Sequence, residues 1–112
     1  MSNLSNMPPL GQKAPKAKSN PGYLAKVREL PCCVCLAFGE TQTSETTAHH
    51  VTMGRFSQRK TPDEMAIPLC WDHHQGGRGS PKIALHENPA KWRRHYGADF
   101  DWTAATQDRI LK

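Results

Sequence analysis

Apolar positions fall into short groups along the chain, and each group predicts one small structural element. In "NPGYLAKVRELP", Leu24 and Val27 share one helical face, which predicts a helix. Asn20 and Pro21 are suited to begin this helix, and Pro31 ends it. Next, "PCCVCLAFGE" predicts a tight knuckle followed by a polar loop. The segment "TTAHHVTM" has β-branched residues around a histidine pair and predicts a short strand, while "MAIPLC" predicts a second short apolar segment.

The second half of the chain predicts helices again. From Cys70 the pattern is helical until Gly76 interrupts it. In "ALHENPAKWRRHYG", Asn88 can cap and Pro89 can open a helix that stops near Gly97. A last amphipathic piece runs from position 101 toward the end of the chain. The residues of these two late helices that are expected to face the core are Trp92, Tyr96, Trp102, Ile110 and Leu111.

The composition limits what these elements can build. The chain has 112 residues, of which 37% are hydrophobic, so a large core is out of reach and a further stabilising device is expected. No run of about eighteen apolar residues exists, which excludes a membrane span. The start of the chain lacks the apolar segment of a secretory signal, so we expect a reducing cytosol, where clustered Cys and His more often bind metal. The formal charge of +5 suits a polyanionic partner.

The first residues differ in character from the rest. Residues 1 to 20 contain Lys13, Lys16 and Lys18 among prolines and small polar residues, with no period that could bury a face. We predict a disordered basic tail over residues 1 to 20 and one folded domain over residues 21 to 112. The tail could be an arm that contacts phosphates or a solvated leader, and the sequence favours neither.

Cysteine and histidine residues form two hooks with metal-ligand spacing. Cys32-x-x-Cys35 supplies thiolates on a turn, and Cys70-x-x-His73 supplies a thiolate and an imidazole at the start of a helix. Two such hooks can close a tetrahedron around Zn²⁺, which favours sulfur and nitrogen ligands. The set therefore predicts a structural zinc site. A disulfide or redox role is the alternative, although a redox CxxC motif would need a βαβ frame that this chain does not predict.

Two neighbouring residues, His74 and Cys33, are less easily assigned. Adjacent helical residues point about 100° apart, so His73 and His74 cannot easily bind the same ion. Cys70 and His74 at i, i+4 also share a helix face, and this pairing stays open as a second possibility. Cys33 is expected to be a small buried residue, because the C-x-x-C spacing is the commoner metal-binding arrangement.

In this order, "CVC", "AHHV", "IPLCWDHH" and "ALHENPAKWRRHYG" resemble the HNH nucleases of the ββα-metal (His-Me finger) class. The resemblance is closest to the phage Ref-type, RecA-dependent nuclease family and covers about Tyr23 to Gly97. It implies that a β-hairpin and a helix grip one divalent metal ion. The expected fold class is thus a small α+β, ββα-metal (HNH) domain stapled by a structural zinc, with additional helices at both ends.

The resemblance also implies roles for individual residues. By position, His50 would be the general base and His49 a ligand of the catalytic metal. The family pattern places His74 and His86 on the same ion, which would be Mg²⁺ or another divalent cation. The family's middle Asn is absent, and Asp63, which stands nearby, could brace the hairpin loop or approach the metal as part of the catalytic set. Without the resemblance, each histidine could be an ordinary polar surface residue.

These roles imply a metal-dependent DNA endonuclease. Histidine suits the base because its pKa lies near neutrality, and a divalent cation offsets charge on the phosphate. The resemblance implies a phage or prophage protein of recombination in the bacterial cytoplasm, with a RecA filament as a candidate partner besides DNA. The alternative is a non-catalytic zinc-stabilised module that binds DNA or a recombination protein. Basic residues that could contact phosphates, or could be ordinary surface charges, are Arg55, Arg59, Lys60, Arg78, Lys82, Lys91, Arg93 and Arg94.

Overall fold

The structure is a computed structural model that describes residues 19–53 and 61–111. Most of the predicted basic tail lies outside the described residues, as do Arg55, Arg59 and Lys60. Within the two described ranges, no helix has the length and apolar character needed to cross a membrane.

Two predicted helices begin and end where their capping residues indicate. Helix α1 (Pro21–Glu29) follows Asn20, whose side-chain oxygen accepts a backbone N–H of the first turn at 3.2 Å. Asn88 caps α4 (Pro89–Tyr96) in the same way at 3.1 Å. Gly97 ends α4 with a φ of 85°, a conformation that glycine adopts without strain. Both helices are set by local hydrogen bonds, which explains why the sequence predicts them well.

The predicted knuckle is the start of a short helix. Helix α2 (Cys33–Phe38) begins directly after Cys32, whose Sγ accepts the N–H of Cys35 at 3.5 Å. It ends at Gly39, where φ is 67°. The expectation of a knuckle followed by a loop was therefore incomplete, because six residues are too few to show a helical period.

The predicted strands form an antiparallel two-stranded sheet. Strand β1 (Thr46–His49) pairs with β2 (Ile67–Cys70), and Thr47 lies opposite Leu69. Helix α3 (Trp71–His74) follows β2 without a connecting loop. The small α+β architecture with a hairpin and a following helix is as predicted. The candidate metal ligands of "LCWDHH" therefore lie at the junction of β2 and α3.

The two faces of this sheet have different partners. One face, next to which lies Ala66 directly before β2, packs against α1 and the C-terminal helix. The other face carries Ile67 and Leu69, which join the larger core cluster. Opposite these two residues in the register lie His49 and Thr47. Because side chains alternate along a strand, both of the latter face the metal-ligand residues rather than α1.

The C-terminal segment differs in detail from its prediction. A 3-10 turn, Asp99–Trp102, precedes helix α5 (Thr103–Leu111). Thr106 is buried, and Ile110 packs against the buried residues of α1, so the inward face follows a spacing of four. Leu111 is 76% exposed, which makes its predicted core position wrong. The reason is helical phase, since a residue next to Ile110 is rotated about 100° away from the core.

Candidate metal centres

The two hooks, Cys32–Cys35 and Cys70–His73, meet between α2, the end of β2 and α3. We call this set the cysteine cluster: Cys32, Cys35, Cys70 and His73. All of its side chains are buried, and its donor atoms lie within 4.8 Å of one another. The two hooks that the sequence predicts are therefore brought to one place by the hairpin and the short helix.

The distances within the cysteine cluster suit a tetrahedral metal site. With zinc–sulfur and zinc–nitrogen bonds of about 2.3 and 2.0–2.1 Å, the ligand atoms of a tetrahedron lie about 3.5–3.8 Å apart. The distances from Nδ1 of His73 to the Sγ atoms of Cys32, Cys35 and Cys70 are 3.6, 3.5 and 3.3 Å. The Sγ atoms of Cys35 and Cys70 are 3.9 Å apart. The cluster could thus hold a metal such as zinc, in agreement with the prediction.

The far side of the His73 ring is held by groups outside the cluster. Its Nε2 lies 3.2 Å from a carboxylate oxygen of Glu40 and 3.5 Å from the hydroxyl of Tyr96. An imidazole that donates Nε2–H to a carboxylate keeps its lone pair on Nδ1. Glu40 therefore favours the tautomer that points a free nitrogen at the sulfur atoms. On the opposite side, the ammonium of Lys82 lies 3.6 Å from Sγ of Cys35, where its charge opposes the burial that raises the pKa of this thiol.

The cysteines differ in acidity according to their surroundings. A hydrogen bond from the Cys32 thiol and, against the effect of burial, one from the backbone N–H of His73 lower the pKa of Cys70 to about 3. A thiolate is the form that binds a metal ion. Cys33 lies outside the cluster, and burial raises its pKa to about 12, so it stays a thiol at neutral pH. Cys33 is half-buried rather than fully buried.

A second set of donors uses the next residue of α3. We call it the histidine cluster: His49, His74 and His86. Their donor atoms lie within 4.8 Å of one another, with Nδ1 of His49 only 3.2 Å from Nε2 of His74. His49 and His74 are buried, whereas His86 is exposed. The structure thus divides the adjacent pair, with His73 in the cysteine cluster and His74 in the histidine cluster.

The hydroxyl of Thr47 fixes the orientation of His74. Its Nδ1 lies 2.7 Å from Oγ1 of Thr47, and that hydroxyl donates its hydrogen to the carbonyl of Leu69 at 2.7 Å. The Thr47 oxygen must therefore accept from Nδ1–H of His74, which leaves a lone pair on Nε2. Burial and the neighbouring His49 lower the pKa of His74 to about 3. His74 is consequently neutral at physiological pH, with Nε2 ready to bind a cation.

The exposed member, His86, is carried by a loop that is bonded to α3. Its backbone N–H donates to the carbonyl of His74 at 3.0 Å, and the N–H of Leu85 donates to that of His73 at 2.9 Å. Gly76, with φ of 71°, lets this loop approach, since a Cβ there would lie 2.7 Å from a side-chain carbon of the loop. The two clusters therefore share both α3 and the loop that follows it.

His50 points to a different partner from His49. Its Nε2 lies 2.7 Å from Oδ1 of Asp63, whose Oδ2 accepts the backbone N–H of Asn20 at 2.8 Å. Asp63 begins the 3-10 turn Asp63–Met65 that leads into β2. These contacts link Asp63 to His50 and to the residue that precedes α1. His50 is close enough for its charge to contribute to lowering the pKa of His74.

The other residues predicted from the sequence have varied surroundings. Trp92 is fully buried as predicted, and its Nε1–H donates to the carbonyl of His73 at 3.1 Å. The guanidinium of Arg78 stacks on Trp71 at 4.0 Å and pairs with Glu45 at 2.9 Å, so it already has two partners within the protein. The candidate phosphate contacts that α4 exposes are Lys91, Arg93 and Arg94.

Sequence reasoning missed Asp99. This carboxylate is wholly buried, and its Oδ2 lies 2.8 Å from Nε2 of His49. Burial alone would raise the pKa of Asp99, but hydrogen bonds from His49 and from the backbone N–H of Thr52 hold it below the usual value. Asp99 and His49 are 50 positions apart, and the neighbouring Asp101 has the same local sequence character, so no local signal distinguishes them. Glu40 and Thr47 were missed for the same reason.

Comparison with known proteins places the chain in a family. No curated protein and no solved structure matches it. A family model described as a protein of unknown function, DUF968, matches residues 6–112. This range includes both clusters and every described element. The protein therefore belongs to the DUF968 family.

Proposed function

We propose that the protein is a metal-dependent DNA endonuclease of the HNH type. The observation that supports this best is the convergence of three imidazoles in the histidine cluster beside the His50–Asp63 pair. Phosphodiester hydrolysis needs a cation that offsets charge on the phosphate and a group that takes a proton from water. The hairpin and the residues around it supply a candidate for each requirement.

The cysteine cluster is assigned a structural zinc ion. Its four donors are all buried, and a closed four-ligand set leaves no position for substrate. The zinc would take the place of the large core that a chain of 112 residues cannot form.

The histidine cluster is assigned the catalytic ion. A divalent ion bound there would offset negative charge on the scissile phosphate. Its donors are imidazole nitrogens, which suit Zn²⁺, Fe²⁺, Ni²⁺ and Cu²⁺ better than Mg²⁺, an ion that prefers oxygen ligands. We therefore favour a transition-metal ion over Mg²⁺. The exposed position of His86 leaves the site open to a substrate.

His50 is assigned the role of general base. Its Nε2 donates to Asp63, so Nδ1 is the atom that takes a proton from the attacking water. Asp63 acts as a positioning residue: it holds the ring in place and stabilises the imidazolium that forms. The side chain of His50 is 21% exposed, which gives water access to it.

DNA is proposed as the substrate on grounds of charge. The chain has a formal charge of +5, and α4, which begins three residues after His86, exposes Lys91, Arg93 and Arg94. Such residues bind phosphates without reading base sequence. The recombination setting, the phage origin, the cytoplasmic location and a RecA filament as partner depend on the resemblance to the Ref-type family alone.

The test compares the full-length protein with His50→Ala on supercoiled plasmid DNA. We expect nicking by the wild type with Mn²⁺ or Co²⁺, and a loss of about 10²–10⁴-fold in the variant, the usual contribution of a general base. The matched control is His95→Ala, because His95 is an exposed histidine of α4. Zinc content should be unchanged in both variants.

Parallel substrates separate the proposal from its alternatives. Single-stranded DNA, duplex DNA, RecA-coated DNA and RNA are incubated with each metal ion. Preferential cleavage of RNA would replace DNA as the substrate. Binding of DNA without cleavage of any substrate would favour a non-catalytic zinc-stabilised module, and equal activity of wild type and His50→Ala would exclude His50 as the base.

A further inference from the structure

The carboxylate of Asp99 has an unusual concentration of donors around it. Oδ2 lies 2.8 Å from Nε2 of His49 and accepts the backbone N–H of Thr52 at 2.7 Å. Oδ1 accepts the backbone N–H of Met53 at 3.2 Å. The side chain of Asp99 is wholly buried. A buried carboxylate is stable only when its oxygen atoms are satisfied in this way.

These contacts determine which nitrogen of His49 carries the hydrogen. An ionised carboxylate only accepts hydrogen bonds, so Nε2 of His49 must be the donor. In a neutral imidazole the lone pair is then on Nδ1. That atom is the one that faces Nε2 of His74.

Two lone pairs consequently face each other in the histidine cluster. The hydrogen bond to Thr47 leaves a lone pair on Nε2 of His74, and the hydrogen bond to Asp99 leaves one on Nδ1 of His49. The two nitrogens are 3.2 Å apart, yet neither has a hydrogen to offer the other. The arrangement suits a shared cation, because two nitrogen ligands of one ion lie about 3.0–3.4 Å apart at metal–nitrogen distances of 2.0–2.1 Å.

We propose that Asp99 is the positioning residue of the histidine cluster. It selects the tautomer of His49 that binds the metal ion and, through Thr52 and Met53, holds the backbone that follows β1. The carboxylate thus acts on the ion through His49 without binding it, as outer-shell carboxylates do in other metal sites. This inference rests on the proposed metal site and assigns a residue that the sequence pattern does not indicate.

The first test measures binding of Co²⁺ alone to the zinc-loaded, full-length protein by its visible absorption. Asp99→Asn should weaken binding about 10–100-fold, the usual effect of losing an outer-shell partner. One amide oxygen cannot serve His49 and both backbone donors, so the ring loses its fixed orientation. The matched control is Asp101→Asn, because Asp101 is exposed and only two positions away. Its Co²⁺ affinity should equal that of the wild type.

The second test reads the tautomer directly, by ¹⁵N NMR of the histidine rings in zinc-loaded protein without a second ion. In the wild type, His49 should carry its hydrogen on Nε2, and Asp99→Asn should shift the ring toward a mixture of tautomers. A purely structural role of Asp99 would lower thermal stability without changing either readout.

The outcomes of the two tests are distinguishable. A wild-type His49 with its hydrogen on Nδ1 would overturn the role of Asp99, whatever the variants do. Unchanged Co²⁺ affinity in Asp99→Asn would also contradict that role while leaving the metal site intact. A wild type that binds no Co²⁺ beyond its zinc, yet has His49 in the expected tautomer, would contradict the proposed nuclease site itself.

Discussion

The cysteine cluster and the histidine cluster use adjacent residues of one short helix, yet they differ in the number and the exposure of their donors. The cysteine cluster has four donors, and each of its side chains is at most 3% exposed. The histidine cluster has three donors, one of which is exposed. Closed sets of four ligands are typical of structural sites, whereas three ligands with an open position are typical of reactive sites. Under the proposed function, one turn of helix would serve stability and chemistry side by side.

The dependence between the clusters runs mainly in one direction. His74 is the last residue of α3, and the loop that carries His86 is hydrogen-bonded to α3, which the cysteine cluster holds through Cys70 and His73. The histidine cluster supplies no residue to this framework other than His74 and the loop of His86. We therefore expect loss of the first site to disturb the second, but not the reverse.

The largest effect is expected for Cys35→Ser. We expect loss of zinc and of cooperative unfolding, since structural zinc binds with about 10–16 kcal/mol in small zinc domains at neutral pH. Binding of Co²⁺ to the histidine cluster should be lost as well. Metal analysis and thermal unfolding measure both effects. The matched control is Cys33→Ser, which should keep its zinc because Cys33 lies outside the cluster; loss of zinc in this control would contradict the ligand assignment.

The reverse experiment is His86→Ala. Because His86 is exposed, we expect stability to change by less than about 1 kcal/mol and zinc to be retained. Affinity for a second ion should fall more than about 100-fold, since loss of an outer-shell partner alone costs 10–100-fold. A Co²⁺ titration measures the change, with His95→Ala as the exposed control. A variant that lost its zinc would show that the two sites depend on each other equally.

The contribution of His74 can be measured through the pH dependence of the free energy of unfolding. Burial lowers the pKa of His74 from 6.5 to about 3. As pH falls below 6.5, the unfolded chain takes up a proton at this residue and the folded protein does not, so the free energy of unfolding decreases. In His74→Gln the free energy of unfolding should depend less steeply on pH, because up to about one proton fewer is taken up on unfolding. Urea unfolding of the zinc-loaded protein between about pH 7 and pH 5 measures it; parallel curves for wild type and variant would contradict the assignment.

The smallest effect is expected for Glu40→Gln. A neutral amide holds the Nε2–H of His73 less strongly than a carboxylate, so zinc affinity should fall about tenfold while the fold is kept. Competition with a chelator measures the change. Glu29→Gln, an exposed position on α1, is the control. An equal loss of Co²⁺ affinity at the histidine cluster would show that the two sites are not separable at this level.

Much of the fold could be predicted because its signals are local. Asn20 and Asn88 accept backbone hydrogen bonds within their own helices, so both caps are visible in a few letters of sequence. The helix α2 and the exposure of Leu111 were not predicted correctly. In the first case the segment is too short to show a period, and in the second a single step of helical rotation decides the outcome.

In the candidate site, too, only the residues with a local signal could be predicted. The two hooks were found because C-x-x-C and C-x-x-H place donors on one turn, where spacing alone sets the geometry. Asp99, Glu40 and Thr47 were not found, since each meets its histidine through distant parts of the chain. Their positions depend on strand register and core packing, to which many weak contacts contribute.

By itself, the sequence determined which donor types are present and which of them are close along the chain. It left open whether His73 or His74 joins Cys70, because both spacings fit a helix. Tertiary structure decided this: the register that places Thr47 opposite Leu69 brings the hydroxyl to His74, and the start of α2 brings the sulfur atoms of Cys32 and Cys35 to His73. Short-range spacing follows from covalent geometry, but the partner of each imidazole is set only when the hairpin, α2 and the C-terminal turn pack together.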